Sequence, residues 1–220
     1  MKGYVKVFSM AIASFFFSVL AMAQLPVEIF AGHKKATADI MFFRYFKKKE
    51  GQLSDWLFFN RNRAGIDYAM TTTSGLPQFG FTEAVSYNRK KWKGFAPVAV
   101  VQIMNKGVYP KAGIQFSNIH SNVTIFSWLV CETLKDPSID WFFLGRYTPG
   151  LTGKLNLFLQ IELLNTLPSG QENYFNFIQR LRLGVQSTRC QFGLGADFTA
   201  AGRNTFTATQ NTGLFLRHEF

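Results

Sequence analysis

The chain of 220 residues is poor in the side chains that most site chemistry needs. Two cysteines, Cys131 and Cys190, exclude a disulfide-rich framework. Three histidines, His33, His120 and His218, stand far apart without HxH spacing, and there is no CxxC, so neither a metal site nor a cofactor motif is expected. Acids are scarce as well: 13 Asp+Glu against 24 Lys+Arg leave a formal charge of +11. Beyond Ala23 no apolar run approaches the ~18 residues of a membrane-spanning helix, which excludes a polytopic helical membrane protein. What is plentiful is aromatic. Phenylalanine alone occupies 25 positions, and 16% aromatics is far too many for a disordered chain. The length suits one domain or two small ones.

Residues 1–23 read as an export signal. Lys2 and Lys6 precede an apolar stretch from Val7 to Leu20, and Ala21-Met22-Ala23 places small residues where a signal peptidase inspects them. The mature chain is then expected to begin at Gln24, the alternative being an uncleaved anchor helix. No cysteine near that point invites lipid modification. Removing Lys2 and Lys6 leaves 22 basic against 13 acidic residues, a formal +9. Nucleic acid is an unsuitable partner for an exported protein whose Lys and Arg are not gathered on one helical face. Anionic lipid or small anionic solutes suit the charge better.

The region 24–220 alternates with period two, the signature of half-buried strands. Leu155, Leu157, Leu159, Ile161 and Leu163 share one parity, while Asn156, Gln160 and Glu162 share the other. From Phe175 the same pattern sets Phe177, Leu181, Leu183 and Val185 against Asn176, Arg180, Arg182 and Gln186. Turn signals such as KKKEGQLSD, KDPS, TPGLTG and AAGRN separate the runs. The expected strands are 27–32, 37–46, 56–68, 79–88, 95–105, 111–117, 123–132, 139–147, 154–165, 174–187, 190–200 and 204–220. That makes about twelve, or ten on a stricter count. One hairpin tests the register. A two-residue turn at Thr188-Arg189 sets Leu183 opposite Leu194, Val185 opposite Phe192, Leu181 opposite Ala196 and Arg180 opposite Asp197. Apolar meets apolar and charge meets opposite charge.

Two closed barrels fit such strands: a soluble ligand-binding barrel with its apolar face inward, and an outer-membrane barrel with its apolar face outward. The second is favoured. The polar face carries charges of both signs, and the opposite face carries apolar runs long enough to cross a ~25 Å apolar band when tilted. Aromatics at strand ends (Tyr45, Phe46, Trp56, Tyr68, Trp128, Trp141, Tyr147, Tyr174, Phe175) are placed as an interfacial girdle would be. The last residues, NTGLFLRHEF, with Leu214, Leu216 and Phe220, resemble the closing strand of Gram-negative outer-membrane β-barrels, although His218 stands where an apolar residue is usual. The region after the signal is similar to uncharacterised small outer-membrane β-barrel proteins of Gram-negative bacteria. That resemblance implies an all-β antiparallel up-and-down barrel spanning 24–220, an outer-membrane location, and the barrel assembly machinery and outer-membrane lipid as partners. It implies no activity. Some strands break the rule. Glu83 shares a side with Phe79, Phe81, Val85 and Tyr87; Asp39 sides with Met41 and Phe43, Arg44 with Ile40 and Phe42; Phe95 to Met104 is apolar on both faces. Either a bulge or an interior partly filled by aromatics would account for these.

The inward parity collects Arg61, Arg63, Asp67, Lys111, Gln115, Asp140, Arg146, Gln160, Glu162, Arg180, Arg182, Asp197 and Arg217. Such a set makes either an anion-attracting constriction or a salt-bridged plug. Enzymatic readings are thinner. Ser117, His120 and Ser121 in SNIHSN pair a hydroxyl with an imidazole, as a lipid-modifying enzyme would need, but no third group is evident and the segment reads as a turn. Gly193-x-Gly195 sits inside a strand and suits curvature better than a phosphate loop. Cys131 and Cys190 read as isolated thiols. The expectation is a narrow pore for small solutes, anions among them, or a structural membrane barrel with a salt-bridged interior, without catalytic residues. The alternatives are an outer-membrane lipid-modifying enzyme and a soluble periplasmic ligand-binding barrel.

Overall fold

The computed structural model describes residues 25–49, 51–69, 78–105, 107–132, 134, 137–169 and 174–220. The expected export signal at 1–23, and the expected mature start at Gln24, lie outside them. Thirteen strands follow one another: β1 (Pro26–Gly32), β2 (Lys35–Lys47), β3 (Leu53–Asp67), β4 (Gln78–Tyr87), β5 (Phe95–Met104), β6 (Gly107–Ile119), β7 (Val123–Glu132), β8 (Ser138–Tyr147), β9 (Gly150–Thr152), β10 (Leu155–Pro168), β11 (Phe175–Ser187), β12 (Cys190–Gly202) and β13 (Phe206–Glu219). A short 3₁₀ turn, Lys90–Trp92, joins β4 to β5. Each strand pairs antiparallel with the next, β8 pairs with β10, and β13 returns to β1. The result is a closed twelve-stranded up-and-down barrel, with β9 as a three-residue fringe on β10. The segment TPGLTG holds this fringe strand, whose short run carries no alternation to betray it. Closure leaves no free sheet edge among the twelve staves.

The hairpin register follows from its turn. Thr188 adopts φ 51°, and Arg180 pairs with Asp197, Leu183 with Leu194 and Val185 with Phe192. Alternation then sorts the faces. Leu194, Leu214 and Ile114 are 62%, 63% and 62% exposed and point outward, in a belt that runs round every stave. Inward residues are buried whatever their polarity.

The lumen has two unlike halves. Strands β2 to β8 fill their side with hydrocarbon: Phe59 stacks on Phe126 at 5.3 Å, Phe43 meets Phe126 at 4.7 Å, and Trp128 packs on Phe142 at 5.0 Å. This filled half explains the strand that is apolar on both faces, because Val98 and Val100 of β5 pack into it and Ala96 is buried as well. It also corrects two members of the expected girdle. Tyr45 and Trp128 have inward parity and pack with the lumen aromatics, while Phe46, Trp56, Tyr68, Trp141, Tyr147 and Tyr174 are exposed. The other irregular residues resolve by parity. Asp39, Met41 and Phe43 face inward together, and Arg44 faces outward with Ile40 and Phe42. Glu83 does face outward, and it is not alone. Its register partner Asn60 donates its side-chain amide to it, and Asn62 donates to Asn60 at 3.2 Å, a small polar knot in an apolar exterior.

Candidate functional site in the barrel lumen

The charged half of the lumen is built by inward rows on β1, β2, β3 and β10 to β13. Register alone puts Arg63 beside Asp39, Glu162 beside Arg180 and Asp197 beside Arg180. Side-chain length then carries the contacts across the bore. Arg61 pairs with Asp39 on the adjacent strand and reaches Glu162 at 2.9 Å. β3 and β10 are six strands apart in either direction round the ring, so this bridge spans the lumen. Glu162 also takes Arg180 at 3.2 Å. Asp197 is the most contested acid: Arg182 bonds it at 2.8 Å, Arg63 at 2.9 Å, and Arg180 stands 3.8 Å away. Arg182 continues to Glu28 at 2.9 Å and lies over the Phe30 ring at 4.2 Å. Desolvating so many charges is costly unless each finds a partner, and here four acids and four arginines share them.

Three expected members stand apart. Arg146 and Arg217 both donate to the single amide oxygen of Gln160, at 2.9 and 3.2 Å, and flank Phe158 at 5.8 and 6.0 Å. Neither has a direct ion pair among the described residues; Glu219, Glu162 and Glu28 act on Arg146 from farther off, and Glu28 is the register partner of Arg217. Asp67 has inward parity but ends β3 at the rim. It is exposed and accepts the Ala69 N–H at 2.9 Å instead of joining the network. Lys111 and Asp140 form a separate pair on β6 and β8, and Gln115 bonds Asn88 at 3.2 Å. Glu28 and Asp39 are the members that pattern reading left out of the set. Asp39 was visible as a parity conflict, but the seven-residue β1 gave no sign of Glu28's direction.

Above the network, toward the end opposite the termini, the bore widens into a vestibule of about 350 Å³. Lys35, Arg61, Arg63 and Arg180 line it against the one acid Asp197, and Phe59, Trp128 and Phe142 close its floor. Lys35 makes no direct ion pair among the described residues: Asp197 and its register partner Asp67 act on it only at longer range, with Arg63 and Arg180 adding positive charge beside it.

No protein-family model matches the chain, and no curated protein matches it in sequence. Among solved structures, the KdgM porin is similar, at 8% identity over 89% of this chain and 98% of that one, with a TM-score of 0.48. The same porin in complex with disordered oligogalacturonate gives equal figures. The β domain of the Bordetella autotransporter BrkA is similar at 11% identity over the same shares, with a TM-score of 0.33. These are likenesses of barrel architecture.

The remaining candidates fall in different places. Ser117 is buried and bonds Asn88 at 3.2 Å, while His120 and Ser121 sit exposed in the β6–β7 turn, so the hydroxyl and imidazole are not joined. His33 is tied to Thr212 and His218 to Cys190. Cys131 and Cys190 are both free thiols. No cluster of three or more metal-binding side chains exists among the described residues. Gly193 and Gly195 serve packing. A Cβ on Gly193 would meet the Leu183 carbonyl oxygen at 2.2 Å, and one on Gly195 would meet the Phe30 ring at 2.8 Å. Glycine at 195 makes room for Arg182 to lie on Phe30.

Proposed function

We propose that the protein is an outer-membrane β-barrel acting as a narrow pore for small anionic solutes, with its termini in the periplasm. The outward apolar belt on every stave suits hydrocarbon, which accepts only closed barrels or helices. The closing strand β13 with Leu214 and Leu216 exposed on its outer face, together with the exposed Phe220 that follows it, is the segment we assign to the barrel assembly machinery. The observation that carries the pore is the vestibule: four cationic side chains face one acid above a bridge that is non-covalent. Arginine and lysine at a constriction bias permeation toward anions. A channel also suits the lumen better than an enzyme does, since most of its buried charged groups are engaged in ion pairs with one another.

A second reading is favoured by a specific observation. Arg61–Glu162 and the Phe43–Phe126 contact both reach across the bore, as they would in a structural barrel with a sealed interior. Recordings in planar bilayers under a KCl gradient separate the two. The pore gives a small, steady conductance with chloride preferred over potassium. Arg61→Ala enlarges the conductance by removing the bridge, and Arg63→Ala reduces the preference. A silent wild type with intact fold leaves the structural barrel. Lipid hydrolysis lost on His120→Ala would defeat both.

A further inference from the structure

The vestibule is two-faced. Its cations, Lys35, Arg63 and Arg180, come from β2, β3 and β11, in the half of the ring that runs from β11 through β1 to β3, while Met104 and Leu164 project from β5 and β10 in the other half, over the Trp128–Phe142 floor. A chamber meant only to draw in inorganic anions has no use for the second face, because hydrated chloride gains nothing from hydrocarbon. We infer that the vestibule binds a small organic monoanion, one carboxylate on a compact apolar body. The inference rests on reading the vestibule as an anion entrance and adds the class of solute that stops there.

Three features support it. The volume, about 350 Å³, lies at the lower end of the ~300–1,000 Å³ that small-molecule pockets occupy, which admits a single ring but not a chain of them. Lys35 is a cation without an ion pair among the described residues, whereas Arg61 and Arg63 are held by Asp39, Glu162 and Asp197. An incoming carboxylate therefore meets one ammonium that Asp67 and Asp197 attract only at longer range, and need not break a direct ion pair of the network. Met104 is 37% exposed and Leu164 half-buried, so apolar surface at the chamber wall remains for a ligand to cover. Each face alone would bind weakly. A ligand bearing both groups at once gains from both, and this selects against acetate, which lacks the body, and benzyl alcohol, which lacks the charge.

The test uses the full-length folded barrel in detergent micelles, titrated calorimetrically with sodium benzoate, sodium acetate, benzyl alcohol and sodium glucuronate at constant ionic strength. Benzoate is expected to bind at least about tenfold more tightly than acetate or benzyl alcohol, the equivalent of one charge-assisted contact. Lys35→Gln should weaken benzoate by about tenfold and leave benzyl alcohol unchanged, while Leu164→Asn should weaken benzoate and leave acetate unchanged. Lys35 has no ion pair to lose, so that variant should retain the wild-type fold. Equal affinity for benzoate and acetate would reduce the vestibule to a charge trap and overturn the inference, as would equal affinity for benzoate and benzyl alcohol. Tighter binding of glucuronate would overturn it in favour of a polar-bodied acid. Benzoate binding beside a silent bilayer recording would end the channel and spare the site. Conductance without benzoate preference would do the reverse.

Discussion

Asp197 should be the costliest single charge in the lumen to remove, and Arg180 one of the cheapest. The two are register partners, and pairing alone would suggest that losing either hurts equally. The side chains say otherwise. Asp197 accepts from Arg182 at 2.8 Å and from Arg63 at 2.9 Å, both charge-assisted, and its side chain is 3% exposed. Replacing it with Ala removes two bonds of about 1.5–3 kcal/mol each and leaves Arg63, Arg180 and Arg182 repelling one another, so a loss of about 3–5 kcal/mol follows. Arg180→Ala removes one 3.2 Å bond to Glu162 and a 3.8 Å approach to Asp197. Glu162 keeps Arg61 and Asp197 keeps two arginines, so the loss should be about 1–2 kcal/mol. Adding Arg180→Ala to Asp197→Ala should recover part of the larger loss, since it relieves like-charge crowding. Guanidinium unfolding of the vesicle-embedded barrel, followed by tryptophan fluorescence, measures all three. A loss for Arg180→Ala equal to or greater than that for Asp197→Ala would refute the assignment of Asp197 as the shared anion.

Gly195→Ala should destabilise by about 1–3 kcal/mol, because its methyl would displace Arg182 from Phe30, while Gly65→Ala, whose Cβ meets a Thr37 methyl at 3.4 Å and the Ala36 carbonyl oxygen at 3.7 Å, both ordinary contacts, should stay within about 0.5 kcal/mol in the same unfolding assay. Asn60→Leu should cost about 1–3 kcal/mol by stranding Glu83 on the apolar exterior, and the double change with Glu83→Leu should restore most of it; a double variant no better than the single would show that Asn60 acts elsewhere. Leu216→Asp puts a charge on the outer face of the closing strand, with a cost up to about 2–4 kcal/mol in lipid, and should block membrane insertion, as should deletion of Phe220; normal abundance of both variants in outer-membrane fractions would contradict the assembly role of β13.

Much of the staves and their faces could be read in advance, because period-two alternation is local and each stave carries its own copy. Leu155 to Leu163 declare β10 without help from any neighbour. The β11–β12 register was equally legible, since a two-residue turn leaves a single parity. What lay beyond reading depends on closure. Arg61 finds Glu162 because six staves separate them in a ring whose circumference and tilt no single strand encodes. Trp128 and Tyr45 looked like girdle residues by position along the chain, yet parity turns them into the bore. Glu28 was lost for lack of length: seven residues, PVEIFAG, alternate too briefly to fix a face.

That short strand has a mechanical consequence. β1 is joined to β2 by five paired residues and to β13 by seven, whereas β2 and β3 share twelve and β12 and β13 share thirteen. Hydrogen-bonded strands part like a zipper, one rung at a time, and the number of rungs sets how long the line holds. A pull applied at the chain's beginning would therefore strip β1 along its β2 flank before disturbing any other stave. Amide protons on that flank should be the first in the barrel wall to exchange with deuterium. If the wall ever parts sideways, it parts at the shortest plank.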